Sequence, residues 1–306
     1  MAEHRLDPSP DTVTDVFSRD LPPVLTVDPG DTLVVRSLDA SGHLERQTKP
    51  GEDVPRLIPN GRGHCLTGPI EVRGAEPGMM LAVRLVSLRP DDWGFTVAGA
   101  RDNVLNRRLG VAGEPPVWLL WDVDVDKGTA TNDLGFTVDI APFLGVTGLP
   151  PDEPGEHSTV PPRATGGNID CRELVARSTL YLPVAVPGAL LSMGDGHAAQ
   201  GDGEVSGTAV EVGMTTEVVL DLVTDAPVPT AHAVTPTARI TFGFSSDLND
   251  ATGQALDAML GWLQTLFDVD KTTALALASP SVDLRVTQVA NEVWGVHAVL
   301  PNGVLR

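Results

Sequence analysis

The segment AEPGMMLAVRLVSL, residues 75–88, joins a Pro-Gly turn to a run of apolar and β-branched residues. A similar pattern, VDPGDTLVVRS, occupies residues 27–37, and a third, VPGALLSMGDGH, occupies residues 186–197. A Pro-Gly turn reverses the chain and starts an extended segment. Recurrence of this pattern predicts a mainly β fold in which one sheet packs on another.

Three further segments have the composition of strands, namely residues 118–124, 178–186 and 203–212. Asp126-Lys127-Gly128 follows the first of them and predicts a hairpin turn. Residues 148–168 are rich in proline and glycine, which predicts either a linker or a long ordered loop.

The clearest helical pattern runs from Leu248 to Phe267, where apolar residues recur at every fourth position. Asn249 and Asp250 are candidate N-caps. A shorter helix is expected over residues 271–278, before Pro280. We expect both helices to pack on the edge of the β-structure, with their apolar stripe in the core.

Length and charge limit the classes of protein that this chain can be. The 306 residues suit a single domain over 1–306, with two closely packed β subdomains, about 1–150 and 151–306, as the alternative. Acidic residues outnumber basic ones 41 to 21 and give a net charge of −20. This balance argues against nucleic acid or an anionic membrane surface as a partner.

Compartment and membrane association follow from the N-terminus, the hydropathy and the cysteines. The first residues lack a basic start followed by an apolar run, and no stretch reaches about 18 apolar residues. The two cysteines, Cys65 and Cys171, are too few for a disulfide framework. We therefore expect a cytoplasmic protein.

Ionisable residues that favour a metal site are concentrated between residues 157 and 211. Asp195 and His197 have the i, i+2 spacing that places both on one face of a strand. A Gly-Asp-Gly turn then brings Glu204 back towards them, and Asp170 follows a Gly-Gly-Asn turn. Two carboxylates and an imidazole suit a divalent metal with an open position, although the same residues are common in plain turns. Glu211 would reach the same site only across a bulge, and His64 and His157 are expected to be structural or at the surface.

Elimination of other chemistries leaves a metal-activated water. The three lysines lack the setting of a Ser–Lys hydrolase, and the chain has no G-x-S-x-G elbow. Asp170 beside Cys171 disfavours a thiolate. The chain also lacks a G-x-G-x-x-G or Walker A sequence, so no nucleotide cofactor is expected.

Long stretches of the chain resemble the acetamidase/formamidase family. The resemblance covers about residue 20 to the end, and its most specific parts are GGNIDCREL at 166–174 and LYLPVAVPGALLSMGDGHAAQGDGEVSGTAVE at 180–211. It implies a jelly-roll-like β sandwich with a few appended helices, especially near the C-terminus. Met79-Met80 departs from the family's Pro-Gly-Asp at a turn, which leaves the expected chemistry untouched.

The resemblance implies hydrolysis of a small aliphatic amide to carboxylate and ammonia. It maps the metal site onto Asp170, Asp195, His197, Glu204 and Glu211, of which Asp170, Asp195, His197 and Glu211 are the predicted ligands. Their mixed nitrogen and oxygen atoms favour zinc, with calcium kept as the alternative. Glu204 is the predicted general base, and Asn168 or a backbone N–H is predicted to bind the oxyanion. Some relatives act on cyclic amides, so a lactam hydrolase is the alternative within the family.

The amino-acid composition argues against two other classes of protein, a non-catalytic binding sandwich and a cupin-type enzyme. A non-catalytic sandwich that binds calcium or carbohydrate would need exposed aromatic residues, which are only 4% of the chain. A cupin-type enzyme would need grouped histidines, and the seven here are scattered. We expect a homo-oligomer, most simply a dimer, that uses apolar segments such as 178–186 and 293–301.

Overall fold

The chain folds mainly into β-strands, and the computed structural model describes residues 2–99 and 101–306. The strands are β1 (Glu3–Leu6), β2 (Val13–Thr14), β3 (Val16–Phe17), β4 (Leu25–Val27), β5 (Thr32–Ser37), β6 (Leu66–Val72), β7 (Met80–Ala98), β8 (Val117–Asp124), β9 (Thr129–Asn132), β10 (Thr137–Asp139), β11 (Phe143–Gly148), β12 (His157–Ser158), β13 (Gly166–Asn168), β14 (Thr179–Pro183), β15 (Leu191–His197), β16 (Glu211–Val223), β17 (His232–Val234), β18 (Ala238–Ser245), β19 (Asp283–Asn291) and β20 (Val293–Pro301). The helices are α1 (Val104–Leu109), α2 (Leu248–Phe267) and α3 (Lys271–Ala278). The predicted mainly β class is confirmed, and the arrangement is consistent with a sandwich.

Hydrogen bonds join most of the strands into one sheet of 18 strands, while β3 and β12 pair separately. The long strand β16 pairs with both β5 and β7, and β15 pairs with both β6 and β11. Strands from the two halves of the chain therefore share one network. The choice between one domain and two packed subdomains stays a prediction.

The predicted Pro-Gly turns are present in front of β5 and β7. Gly30 and Gly78 have φ angles of +87° and +95°, which only glycine adopts at little cost. The predicted hairpin after β8 is also confirmed, since β8 and β9 pair in antiparallel register across Asp126-Lys127-Gly128.

The predicted strand over residues 203–212 is wrong for most of its length. Residues 203–210 form a loop, and the strand starts only at Glu211. The reason is that Gly203, Glu204 and Gly207 all have positive φ and bend the chain away from an extended path. Residues 148–168 are largely loop, in line with the prediction, and include the short strands β12 and β13.

Helix α2 has the predicted bounds, but its N-cap differs from the prediction. Asp247 caps it by accepting hydrogen bonds from the backbone N–H groups of Asn249 and Asp250. The helix packs on β18, where Gly243 lets the backbone of Ala251 approach closely. Helix α3 also matches its prediction, whereas α1 was not predicted.

The core is apolar and continuous between the strands. Residues fully buried in it include Leu81, Leu191 and Met214, from β7, β15 and β16. Strands β14 and β20, proposed from the sequence as association surfaces, are each paired on both edges within the chain, and their role in association stays a prediction. No helix in residues 2–99 and 101–306 is long and apolar enough to cross a membrane.

Candidate functional site

Five ionisable residues named from the sequence meet in one buried cluster, termed here the acid–histidine cluster: Asp170, Asp195, His197, Glu204 and Glu211. Strand β15 carries Asp195 and His197, and β16 begins at Glu211, which is the direct register partner of His197. Asp170 follows β13, and Glu204 comes from the loop between β15 and β16.

The sequence predicted that Glu204 and Glu211 could reach one site only across a bulge, and the structure has a bent loop between them. Glu204 has φ of +44°, and Asp170 and Asp195 have φ of +53° and +58°. Left-handed backbone at three non-glycine residues is costly, and such strain is concentrated at functional sites. These bends, together with the sheet register, aim carboxylates from separate segments at one point.

His197 lies at the centre of the cluster. Its Nε2 is 3.3 Å from Asp195 Oδ1 and 3.4 Å from Glu211 Oε1. Its Nδ1 is 2.9 Å from Gln200 Oε1, and an amide oxygen can only accept, so Nδ1 carries the proton. In the neutral ring the lone pair therefore belongs to Nε2 and faces the carboxylates.

Asp170 and Glu211 are held by hydrogen bonds from outside the cluster. Asn291 Nδ2 donates to Asp170 Oδ2 over 2.5 Å, and Ala209 N donates to Glu211 Oε1 over 2.8 Å. Gln200 Nε2 donates to the carbonyl of Asp170 over 2.9 Å, so one glutamine orients His197 and the Asp170 backbone together. Such outer contacts orient metal-binding groups.

Burial and mutual repulsion perturb the ionisation of the cluster. Burial raises the pKa of Asp170 to about 8 and that of Glu211 to about 7. Burial, with Asp170 nearby, also raises the pKa of Glu204 well above its usual value. Burial disfavours the charged form of Asp195, but the nearby His197 outweighs this effect and the pKa of Asp195 is lowered. Burial also disfavours protonated His197, but Glu211 and Asp195 outweigh this effect and the pKa of His197 is raised.

The cluster fits a divalent cation. In the described part of the chain, Asp170 Oδ1, His197 Nε2, Glu204 Oε2 and Glu211 Oε2 are buried without a hydrogen-bond partner. Gly145 of β11 leaves the space between them open: a Cβ there would clash with Asp195 Oδ2 and lie 2.6 Å from Asp170 Oδ1. Buried carboxylates without partners are costly, and a cation removes that cost.

Glu204 differs from the other carboxylates because it also borders a cavity of about 400 Å³. Apolar residues of this cavity include Trp121, Val138 and Val210. Glu204 therefore joins the buried cluster to a space of the size that small ligands occupy.

Asn168 makes a different contact from the predicted one. It is buried, and its side-chain Nδ2 donates to the carbonyl of Val160 over 3.0 Å. This bond ties β13 to the preceding loop and uses one of the two amide hydrogens. An oxyanion role for Asn168 stays a prediction.

Sequence reasoning missed four residues around the cluster: Gly145, Gln200, Asn291 and Thr159. Thr159 Oγ1 accepts from the backbone N–H of His64 and lies 2.9 Å from its Nδ1. His64 Nε2 is thereby 4.0 Å from Asp195 Oδ2, so His64 lies at the rim of the cluster. Gln200, three residues after His197, was the one that local spacing could have suggested.

Fold and site together define a β-rich chain with a buried candidate metal centre next to a small-molecule cavity. The model of the acetamidase/formamidase family matches residues 3–156 and 152–302, and the chain belongs to this family.

Individual relatives agree with this assignment. Formamidase of Methylophilus methylotrophus is 27% identical over 309 residues, covering 80% of this chain and 75% of the relative. A Schizosaccharomyces pombe protein described as a candidate formamidase is 27% identical over 238 residues, covering 61% of this chain and 58% of its own length. The crystal structure of an acetamidase from Bacillus halodurans has a TM-score of 0.86 and 26% identity, covering 97% of each chain.

Proposed function

We propose that this chain hydrolyses the C–N bond of a small linear amide to a carboxylate and ammonia. Membership of the family, the formamidase and acetamidase relatives and the similar acetamidase structure all support an amidohydrolase. The observation that carries the proposal is Glu204, a buried carboxylate that belongs to the acid–histidine cluster and also borders the cavity.

In this proposal the acid–histidine cluster consists of four metal ligands and one general base. Asp170, Asp195, His197 and Glu211 would hold a divalent cation, and their mixed nitrogen and oxygen atoms favour zinc over calcium. When bound, the cation acts as a Lewis acid on the amide carbonyl and on a water molecule. Gln200 and Asn291 keep His197 and Asp170 in place.

Glu204 moves the protons. Its carboxylate takes a proton from water as the water oxygen forms a bond to the carbonyl carbon, and it then passes that proton to the amide nitrogen. The C–N bond breaks with loss of ammonia, because neutral ammonia is a far better leaving group than the amide anion. A base works best when its pKa is near the working pH, and the raised pKa of Glu204 moves it in that direction.

Metal analysis combined with an ammonia-release assay tests the proposal. Formamide and acetamide should release ammonia, and lactams form a separate arm that would reveal a cyclic substrate. His197→Ala and Asp195→Ala should lose bound metal and activity while remaining folded. The matched control is His157→Ala, because His157 is part-exposed and, among the described residues, its side chain hydrogen-bonds only to the carbonyl of Glu153. Full activity of His197→Ala, together with activity that survives chelation, would exclude this mechanism.

We also propose that the chain forms a homo-oligomer. Exposed apolar side chains support it, since Leu134 and Phe136 of the β9–β10 hairpin and Leu109 of α1 are each more than half exposed. Light scattering tests the proposal, and a mass of one fully active chain would contradict it. The cytoplasmic location stays a prediction.

A further inference from the structure

A second group of metal-binding side chains lies apart from the acid–histidine cluster and shares no residue with it: Cys171, Glu173 and His297. Cys171 and Glu173 follow β13, and His297 lies in β20, so the group joins two distant parts of the chain. Cys171 and His297 are fully buried, and the side chain of Glu173 is 16% exposed.

Two of the separations in this group match those of ligands around one ion, and all three ligand atoms lie within 4.8 Å of one another. Cys171 Sγ lies 3.3 Å from Glu173 Oε2, and His297 Nε2 lies 3.4 Å from the same oxygen. Tetrahedral zinc with bonds of about 2.3 Å to sulfur and about 2.0 Å to nitrogen or oxygen separates its ligand atoms by roughly 3.3–3.5 Å. A charged N–H···O bond is much shorter, about 2.7–2.9 Å, so an ion pair alone explains the His297 distance poorly.

Outer contacts hold two of the three side chains in binding orientation. Arg285 donates to Glu173 Oε1 over 2.7 Å, which leaves Oε2 for the interior. The hydroxyl of Thr287 lies 2.8 Å from His297 Nδ1, and within residues 2–99 and 101–306 the buried Nε2 has no hydrogen-bond partner. When Nδ1 donates to Thr287, Nε2 carries the lone pair, which is the usual arrangement of a metal-binding histidine.

An access route and a place for a fourth ligand are also present. Glu173 borders a cavity of about 380 Å³, which is also lined by Asp202, Thr235 and Arg285. An ion can reach the group from this cavity, and water from it can complete a site with three protein ligands.

We propose that Cys171, Glu173 and His297 form a zinc site separate from the acid–histidine cluster. Consecutive residues serve the two centres, because Asp170 faces the cluster and Cys171 faces Glu173 and His297. The zinc would link the segment after β13 to the C-terminal hairpin of β19 and β20, and so stabilise the position of Asp170.

Cobalt substitution separates the two centres, because the proposed zinc site contains a cysteine sulfur and the acid–histidine cluster contains only nitrogen and oxygen ligands. The full-length protein is freed of metal by chelation and titrated with Co²⁺. We expect a near-ultraviolet sulfur-to-cobalt charge-transfer band in the wild type. Cys65→Ser is the matched control, since Cys65 is the other buried free thiol, and it should keep the band. Cys171→Ser should lose the band and bind less zinc per chain.

The wild-type measurement is decisive even if a variant fails to fold. A wild type that shows no charge-transfer band at saturating Co²⁺ overturns the proposal, and the group is then a hydrogen-bonded cluster without metal. A band that survives in folded Cys171→Ser, or disappears in folded Cys65→Ser, overturns it as well. A band that depends on Cys171 and is retained in Asp195→Ala supports a site independent of the acid–histidine cluster.

Discussion

The inner face of helix α2 and the acid–histidine cluster are both buried, but their burial has opposite energetic consequences. The inner face of α2 places Ala251, Met259 and Leu263 against β18 and β20. Each buried apolar Å² contributes about 25 cal/mol to folding. Buried carboxylates such as Asp170 and Glu211 instead cost free energy until a cation pairs with them. The contrast shows that one region supplies stability and the other uses part of it to keep reactive groups in place.

The largest expected effect is on catalysis, from Glu204→Gln. The amide keeps the shape but cannot take a proton, so the rate should fall by about 10²–10⁴-fold, the usual contribution of a general base. Steady-state ammonia release measures it, with bound metal and the circular dichroism spectrum unchanged.

Glu217→Gln is the control for this substitution, because Glu217 lies on β16 outside the cluster and its carboxylate hydrogen-bonds only with Ser87 among the described side chains. Glu217→Gln should keep full activity. If Glu211→Gln shows the large loss and Glu204→Gln does not, the two glutamates have exchanged roles.

Met259→Ala tests the other side of the comparison. Met259 is fully buried in α2, so truncation should lower the free energy of unfolding by about 2–5 kcal/mol through lost burial and a cavity. Denaturant unfolding measures this, and activity below the transition should be unchanged. Leu266→Ala, at a 39% exposed position of the same helix, should change stability much less. A large loss of activity in folded Met259→Ala would show that the two regions are coupled.

Gln200→Ala should have an intermediate effect on the cluster. Without its oxygen, His197 Nδ1 loses the partner that fixes the ring, and the carbonyl of Asp170 loses a donor. Loss of such outer contacts costs about 10–100-fold in metal affinity or activity. Metal titration measures it, and Gln264→Ala in α2 is the control. Unchanged metal affinity in Gln200→Ala would contradict the assigned orientation of His197.

The smallest effect is the pH dependence of stability in the metal-free protein. Burial raises the pKa of Glu211 from 4.5 to about 7 and that of Asp170 from 3.8 to about 8. Between pH 4.5 and about 7, the folded state therefore keeps protons on these carboxyl groups that the unfolded state has lost. The free energy of unfolding should therefore fall as pH rises through this range. The raised pKa of His197 should also lower stability as pH rises above 6.5, the ordinary pKa of a histidine.

Chemical denaturation of chelated protein across this pH range checks the expected trend. Addition of metal should flatten the dependence, because the cation stabilises the ionised carboxylates. Stability that instead rises with pH in the metal-free protein would show that these groups are already ionised in the fold.

The local sequence pattern was enough to predict turns and helices, because their conformation depends mainly on residues close together in sequence. The turns at Gly30 and Gly78 and the whole of α2 depend on backbone freedom and on periodicity, and both properties are readable within a short window. Residues 203–210 were mispredicted as strand because their alternating composition does not reveal positive φ at Glu204. That bend costs energy locally, and only contacts made elsewhere in the fold maintain it.

The sequence by itself determined the mainly β class, the C-terminal helices, the family resemblance and the identity of the five cluster residues. Only the tertiary structure decided that Glu204 and Glu211 meet, because that depends on a bent loop and on the pairing of β15 with β16. It also decided the roles of Gly145 and Asn291, which lie 25 residues or more from the nearest cluster residue in sequence yet border the same space. Strand pairing brings such distant residues together, and a linear pattern carries no record of which strands will pair.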